Sequence, residues 1–291
     1  FMINQHPDFI NNPNEAPIGV FDSGVGGLSV YQHLRQLLPN ERFIYYADTK
    51  NVPYGNKSGD EILLLTLQAV ARLCKRGCKL IVIACNSASA YALTAIRQRC
   101  SVPVVGLVPA VKPACKLTQT KKIAVLATKA TLNGYLLNEV INEAAIPNGV
   151  TVFKHFEPSL VPWVEQGMPI DSQVANLLIY QTHLWAKAGV DVVVLGCTHY
   201  PFFKSFLQDE INKKNLAITL VDSGFAIAQR VQSLLKIFNI ASQEIPNLTQ
   251  NPPLQLYATQ LTDELLMIVK TLTNQQTIIP IFSQDENILS L

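Results

Sequence analysis

The sequence has little charge, no run of basic residues and no long apolar stretch. Charged residues make up 15% of its 291 residues and the formal net charge is only +2, which gives no support to nucleic-acid binding. The apolar runs at 80–85 and 190–196 have the length of strands, whereas a membrane span needs about 20 apolar residues. Because hydrophobic residues reach 48%, the chain can still bury a large core. We expect a globular protein that binds neither nucleic acid nor a membrane.

Signals for secretion and for disulfide bonding are also missing. Residues 1–16 lack the basic and apolar segments of a signal peptide, and we expect them to form a flexible lead. The six cysteines therefore indicate reduced thiols in the cytoplasm. Cys74 and Cys78 form a C-x3-C pair on a predicted helix, but no second Cys/His pair nearby completes a zinc site. We interpret these two cysteines as packing residues.

The sequence does contain a regular alternation of β-rich runs with amphipathic stretches, such as the helix predicted over 131–144. This alternation is typical of α/β proteins with parallel sheets. The two halves repeat, because the strands predicted over 18–22 and 122–128 each lead through a polar turn into a helix, and the strand ending at Cys85 corresponds to the strand ending at Cys197. We predict two similar parallel-sheet α/β lobes related by a pseudo-twofold, with the active site in the cleft between them.

The order of the predicted elements sets the lobe boundaries. The first lobe is predicted to comprise 17–113 plus 224–291, and the second to comprise 114–223, so that the chain crosses between lobes twice. The Pro/Asn-rich segment 240–253 is predicted to be a loop, and 274–291 a weakly structured tail.

The segment DSGVGGLS (22–29) links the first predicted strand to a helix. Its glycine spacing, with Asp48 about 20 residues further on, imitates a dinucleotide-binding fingerprint, but Ser29 occupies the position of the third glycine. We favour a tight turn that presents Asp22, Ser23 and backbone N–H groups to an anionic ligand. A purely structural glycine turn stays open as the alternative.

Two cysteines follow buried-looking strands. Cys85 precedes Asn86 and Ser87 at the start of a predicted helix, where the N–H dipoles favour a thiolate, although an inert buried cysteine is also compatible with the pattern. Cys197 is followed two residues later by His199, which can hydrogen-bond the thiol or carry its proton. Taken alone, this second pair suits the nucleophile of a Cys/His hydrolase equally well.

Two thiols on facing walls of one cleft suit the inversion of a carbon centre by proton transfer. A base removes a proton from one face, and an acid delivers a proton to the other face. Free cysteine has a pKa of about 8.5, so modest tuning produces a thiolate near neutral pH. The α-proton of an amino acid is very weakly acidic, so desolvation and well-placed hydrogen-bond donors must stabilise the carbanion.

Four segments carry a resemblance to a known family. IGVFDSGVGGLSV (18–30), YYADTKNVPYG (45–55), IACNSASA (83–90) and LGCTHYPFF (195–203) together resemble the glutamate racemases of the cofactor-independent aspartate/glutamate racemase superfamily. The resemblance implies an active site between two α/β lobes, with no metal and no other cofactor. It also implies the racemisation of L-glutamate to D-glutamate by two cysteines, which supplies D-glutamate for bacterial peptidoglycan and so for cell-wall biogenesis and cell shape.

The resemblance assigns roles position by position. Cys85 resembles the thiol that acts on D-glutamate and Cys197 the thiol that acts on L-glutamate; Asp22 resembles the carboxylate beside the first thiol, His199 the imidazole beside the second, and Glu165 a second auxiliary carboxylate. The positions that resemble substrate-holding residues are Asp22, Ser23, Tyr54, Gly55, Asn86, Ser87, Thr198 and His199. Because the four segments contain no arginine, we expect backbone N–H groups and polar side chains to hold both glutamate carboxylates.

The chain departs from the family pattern at two places. Ser87 stands where the family usually has threonine, and many members have cysteine or alanine near Glu157. The segment 104–114 resembles members from Gram-negative bacteria, in some of which a peptidoglycan precursor activates the enzyme. Such an activator and both a monomer and a homodimer stay open.

Three other functions stay open at this point. A racemase acting on aspartate or another acidic amino acid would use the same residues. A non-catalytic amino-acid-binding protein could share the lobes but would not need both thiols. A Cys/His amidohydrolase would need only Cys197 and would leave Cys85 without a role.

Overall fold

The computed structural model describes residues 14–243, 254–272 and 281–284. Most of the predicted flexible lead, 1–13, and most of the predicted loop, 244–253, lie outside the described residues. Its strands are β1 (Ile18–Asp22), β2 (Phe43–Ala47), β3 (Leu80–Ile83), β4 (Val104–Gly106), β5 (Lys122–Ala127), β6 (Thr151–His155), β7 (Val192–Gly196), β8 (Thr219–Val221), β9 (Leu254–Ala258) and β10 (Ile281–Gln284).

The helices alternate with the strands through most of the chain. They are α1 (Leu28–Leu37), α2 (Gly59–Lys75), α3 (Asn86–Arg99), α4 (Val111–Leu117), α5 (Lys129–Asn133), α6 (Tyr135–Val140), α7 (Leu160–Glu165), α8 (Gln173–Lys187), α9 (Lys204–Lys213), α10 (Gly224–Ile237) and α11 (Asp263–Leu272). No helix in the described part of the chain combines the length and the apolar character that crossing a membrane requires.

The strands form two separate parallel sheets, which confirms the predicted α/β class with two lobes. The six-stranded sheet of the first lobe has the order β10-β9-β2-β1-β3-β4, and the four-stranded sheet of the second lobe has the order β6-β5-β7-β8. The order β2-β1-β3-β4 matches β6-β5-β7-β8 strand for strand, so the repeat predicted from the sequence is present in the topology. The proposed lobe boundaries, 17–113 plus 224–291 and 114–223, stay a prediction.

Each sheet is covered by apolar side chains on both faces. Every residue of β1, β2, β3 and β7 is buried, as expected for parallel strands between two layers of helices. One face of the first sheet packs against α1 and α10, and the other against α2 and α3. The buried layers hold the carboxyl ends of β1, β3 and β7 in fixed positions, and the polar loops that follow these strands lie at the site described below.

Two predictions about secondary structure were wrong. Within the predicted tail 274–291, Ile281–Gln284 forms the edge strand β10, which pairs with β9 in parallel register. The rest of that tail lies outside the described residues. The helix predicted over 131–144 is interrupted at Gly134, whose backbone is extended. A Cβ at Gly134 would lie 2.5 Å from the Cβ of Ala90, so the break accommodates a close approach of α3 from the first lobe.

Candidate active site

One cavity of about 180 Å³ is lined by residues from both lobes. Both thiols reach it, Cys85 from the loop after β3 and Cys197 from the loop after β7, and both cysteines are free. Since β3 and β7 are the third strands of their repeats, the two thiols occupy equivalent places in the two lobes. The other predicted site residues that line this cavity are Ser23, Tyr54, Gly55, Asn86, Ser87, Glu165, Thr198 and His199.

Asp22 differs from the other predicted residues because it lies behind the cavity wall, fully buried. Its Oδ1 accepts hydrogen bonds from the backbone N–H of Gly24 at 2.8 Å and from the hydroxyl of Ser23 at 3.2 Å. Burial raises the pKa of the Asp22 carboxyl, while the charge of His199 and these hydrogen bonds oppose the rise. Asp22 is connected to the thiol of Cys85 through the hydroxyl of Ser23.

Cys85 lies in surroundings that favour the protonated thiol. Its Sγ is 3.6 Å from Ser23 Oγ, and Ser23 in turn donates to Asp22, so the Cys85 S–H can donate to the serine oxygen. Burial, together with the charge of Asp22, raises the pKa of the Cys85 thiol to about 12. The N–H groups at the helix start do lower this pKa, as the sequence predicted, but their effect is smaller than that of burial. The N–H of Ala88 does donate to Sγ at 3.4 Å, but burial outweighs it.

Cys197 lies beside a basic side chain, His199, whereas the charge that acts on Cys85 is that of the acidic Asp22. Its Sγ is 3.8 Å from His199 Nδ1, and His199 Nε2 is 3.0 Å from Glu165 Oε1. Burial alone would lower the pKa of His199, but the hydrogen bonds and charges of Cys197 and Glu165 raise it to about 10. The raised pKa favours the protonated imidazole, which places a positive charge next to the side chain of Cys197.

The polar lining of the cavity consists mostly of hydroxyl, amide and carboxyl groups. Among the described residues that line it there is neither lysine nor arginine. Asn86 and Ser87 lie in the first turn of α3, where backbone N–H groups lack helical partners. An anionic group can be bound there by N–H groups and hydroxyls without a basic side chain.

Tyr54 is fixed by a residue outside the cavity wall. Its hydroxyl donates to Asp48 Oδ2 at 2.6 Å, and Asp48 also accepts from Asn51 and from the hydroxyl of Thr259. Burial and the charge of Asp48 raise the pKa of Tyr54, so the phenol stays protonated. The buried carboxylate orients the tyrosine, and Thr259 joins this arrangement from beyond β9.

Thr128, Phe156 and Glu157 are among the residues that line the cavity but were not predicted as site residues. Thr128 comes directly after β5, as Ser23 comes directly after β1 in the other repeat. Its hydroxyl oxygen lies 2.9 Å from that of Ser87, so the two hydroxyls meet across the two lobes. The repeat was therefore a usable signal for Thr128. Glu157 accepts hydrogen bonds from the N–H and hydroxyl of Ser159.

The chain is similar to known proteins in both sequence and fold. Residues 18–231 match the family described as Asp/Glu/Hydantoin racemase. A glutamate racemase from Deinococcus radiodurans is 44% identical over 251 residues, which cover 84% of this chain and 86% of that protein.

Solved structures of glutamate racemases also resemble this chain. The Escherichia coli enzyme in complex with L-glutamate and the activator UDP-MurNAc-Ala has 31% identity and a TM-score of 0.74, with 92% of this chain and 97% of that chain covered. The Francisella tularensis enzyme in complex with D-glutamate has 27% identity and a TM-score of 0.77, with coverages of 93% and 97%.

Proposed function

This chain belongs to the Asp/Glu/Hydantoin racemase family, and we propose that it interconverts L- and D-glutamate with two cysteines and no cofactor. The observation that carries the proposal is the presence of Cys85 and Cys197 in one cavity, one thiol from each repeat. The relatives that are named glutamate racemases support glutamate as the substrate.

In the direction from L- to D-glutamate, Cys197 is the base. Its thiolate takes the α-proton, so that an S–H bond forms, the C–H bond breaks and the electron pair stays on the α-carbon. Cys85 then gives its thiol proton to the other face of that carbon and becomes the thiolate. The positive charge of His199 beside Cys197 and the raised pKa of Cys85 support this starting state.

In the reverse direction the two thiols exchange roles. One turnover leaves a thiolate on Cys85 and a thiol on Cys197, which is the state that D-glutamate requires. We assign Asp22 and Ser23 to control the proton on Cys85, and His199 with Glu165 to control the proton on Cys197. The hydrogen bonds within each group support this division.

The two substrate carboxylates need partners other than basic side chains. We assign them to the hydroxyls, amides and backbone N–H groups of the cavity wall, because its described residues include neither lysine nor arginine. The proposed partners are Ser23, Tyr54, Gly55, Asn86, Ser87, Thr198 and His199. In a cavity with little water, these donors also stabilise the charge that develops when the α-proton leaves.

A second function is favoured by one specific observation. Cys197, His199 and Glu165 follow one another at 3.8 and 3.0 Å, an arrangement that also suits the nucleophile, base and orienting carboxylate of a cysteine hydrolase. A hydrolase of this kind would act on an amide and release ammonia or an amine. It would leave the thiol of Cys85 in the same cavity without a role.

We assign the product to peptidoglycan synthesis in the cytoplasm, as the resemblance to glutamate racemases suggests. Six free cysteines support a reducing compartment. The Escherichia coli enzyme in complex with UDP-MurNAc-Ala supports a peptidoglycan precursor as an activator, and adding such a precursor to the assay below tests it. Sedimentation will distinguish a monomer from a homodimer.

The decisive experiment starts from pure L-glutamate and the purified protein with no cofactor added. We expect the optical rotation to decay to zero as D-glutamate accumulates, with no release of ammonia. Cys85→Ser and Cys197→Ser should each abolish racemisation, because every turnover needs one base and one acid. Ammonia release from an amide substrate by Cys85→Ser, together with stable L-glutamate in the wild type, would support the hydrolase instead.

Single mutants can still reveal which thiol serves which enantiomer. With a β-substituted amino acid that carries a good leaving group, removal of the α-proton is sufficient, because the leaving group then departs from the β-carbon. We expect Cys85→Ser to eliminate from the L-form through Cys197, and Cys197→Ser from the D-form through Cys85. A shared preference for one enantiomer would contradict the two-base mechanism.

A further inference from the structure

We propose that Ser29 is a positioning residue for Cys197, which it serves by binding the backbone of the second lobe from the first. The proposal builds on the proposed racemisation, since it concerns the thiol that takes the proton from L-glutamate. Ser29 is the second residue of α1 and is 5% exposed. It is also the residue that replaces the third glycine of a dinucleotide fingerprint.

The hydroxyl of Ser29 lies between two carbonyl oxygens from different lobes. Its oxygen lies 2.8 Å from Thr198 O and 2.9 Å from Gly26 O, and these two carbonyl oxygens share its single proton. Thr198 is the residue between Cys197 and His199, and it lies 169 positions after Ser29 in the sequence. A single hydroxyl therefore holds the peptide that joins the thiol to its imidazole.

The two backbones approach closely at this point. A Cβ at Gly26 would lie 2.4 Å from His199 Nδ1 and 2.6 Å from Thr198 Oγ1, so the turn before α1 has no space to spare against the loop of the second lobe. Ser29 does not line the cavity that holds both thiols. We therefore infer that it acts on the reaction through the loop 197–199, whose backbone it contacts at Thr198 O.

Removal of the hydroxyl should affect one proton transfer more than the other. Cys85 belongs to the first lobe together with Ser29, and its hydrogen bonds to Ser23 and Ala88 do not involve the loop 197–199. A shift of that loop relative to the first lobe moves Cys197 and His199 away from the substrate while Cys85 stays in place. Because the equilibrium constant between enantiomers is 1, kcat/KM for racemisation must fall equally in both directions and cannot reveal this asymmetry.

Elimination from a β-substituted amino acid with a good leaving group separates the two transfers. We expect Ser29→Ala to lower the elimination rate of the L-form by about tenfold or more, since misplacement of a catalytic group by about 1 Å can cost about 100-fold. The rate for the D-form should change much less. Ser29→Thr keeps the hydroxyl and should restore the ratio of the two rates toward the wild-type value.

Ser89→Ala is the matched control. Ser89 is also a buried serine of the first lobe, but its hydroxyl donates to Ile83 O and accepts from the N–H of Leu107, both within the same lobe. We expect this variant to lose stability without any loss of the L-form rate relative to the D-form rate. Melting temperatures of all variants establish that the folded protein is being assayed.

The outcomes separate this proposal from the proposed function. If wild-type protein racemises glutamate but Ser29→Ala lowers both elimination rates equally, the positioning role is refuted and the racemase stands. If Ser29→Thr shows the same selective loss as Ser29→Ala, the hydroxyl is not the cause and the proposal also fails. If wild-type protein racemises no glutamate at all, the proposed function itself is refuted.

Discussion

Replacement of Gly26 by alanine should push the loop 197–199 of the second lobe away from the first lobe. The added Cβ would lie 2.4 Å from His199 Nδ1 and 2.6 Å from Thr198 Oγ1, although real Cβ atoms essentially never lie within 3.0 Å of a non-bonded heavy atom of another residue. Non-bonded heavy atoms prefer a separation of about 3.5–4.0 Å, so the turn and the loop must move apart by about 1 Å. His199 cannot simply rotate away, because Cys197 and Glu165 hold its ring on both sides.

The size of the effect follows from that displacement. A shift of about 1 Å in a catalytic group can cost about 100-fold in rate, which corresponds to about 2.7 kcal/mol of transition-state stabilisation. We therefore expect Gly26→Ala to lower kcat/KM for L-glutamate by about two orders of magnitude. The variant should remain folded, because the clash lies at the interface between the two lobes and each lobe has its own hydrophobic core.

Gly24→Ala provides the control within the same turn. Its added Cβ would meet nothing closer than Val52 Cγ2 at 3.4 Å and Glu165 Oε1 at 3.8 Å, which are ordinary contacts. The N–H that donates to Asp22 is retained. Polarimetric kcat/KM values for both variants test the reasoning. Equal activities for the two variants, or near-wild-type activity for Gly26→Ala, would show that the close approach does not set the position of the loop.

Two further predictions concern stability. Lys79 forms an ion pair of 2.6 Å with a buried glutamate, and Lys79→Met should cost about 3–5 kcal/mol of unfolding free energy because one charge is left buried without its partner. Lys112→Ala, at an exposed ion pair, should cost less than about 1 kcal/mol in the same urea titration, and equal losses would contradict the difference in burial. The second prediction follows from the folded-state pKa of His199, which is raised from 6.5 to about 10. Its contribution to stability is full below pH 6.5 and is lost as the pH rises through 10, by at most about 1.4 kcal/mol per pH unit. The unfolding free energy should therefore fall less between pH 7 and pH 10 in His199→Asn than in the wild type; equal slopes would refute the assignment.

The sequence predicted the layout of the molecule well because its signals are local. Apolar runs of strand length, each followed by a polar turn, identified the strands that end near Asp22, Cys85 and Cys197, and their repetition identified two lobes. Parallel strands place their carboxyl ends at one edge, so the residues after them could be expected to meet. The cavity contains the predicted residues apart from Asp22, which lies behind its wall.

The features that the sequence could not predict depend on distant partners. The acceptor of the Ser29 hydroxyl lies 169 residues away, and nothing near Ser29 in the sequence indicates it. The direction of the pKa shift of Cys85 also depends on its burial in the folded protein, which outweighs the local helix N-terminus. The strand at Ile281–Gln284 is recognised only by its pairing with β9.

The strand order also determines the order in which a newly synthesised chain can fold. The residues of β5 to β8 are contiguous, so the second sheet can form as soon as they leave the ribosome. In the first sheet, β2 pairs with β9, and Thr259 reaches Asp48 from 211 residues further along the chain. At typical synthesis rates, β2 waits roughly 10–40 s for that partner. During this interval β2 is an unpaired edge strand. Asp48, which orients Tyr54, also lacks its hydrogen bond from Thr259. Rapid overproduction should therefore favour aggregation through the first lobe while the second lobe is already folded.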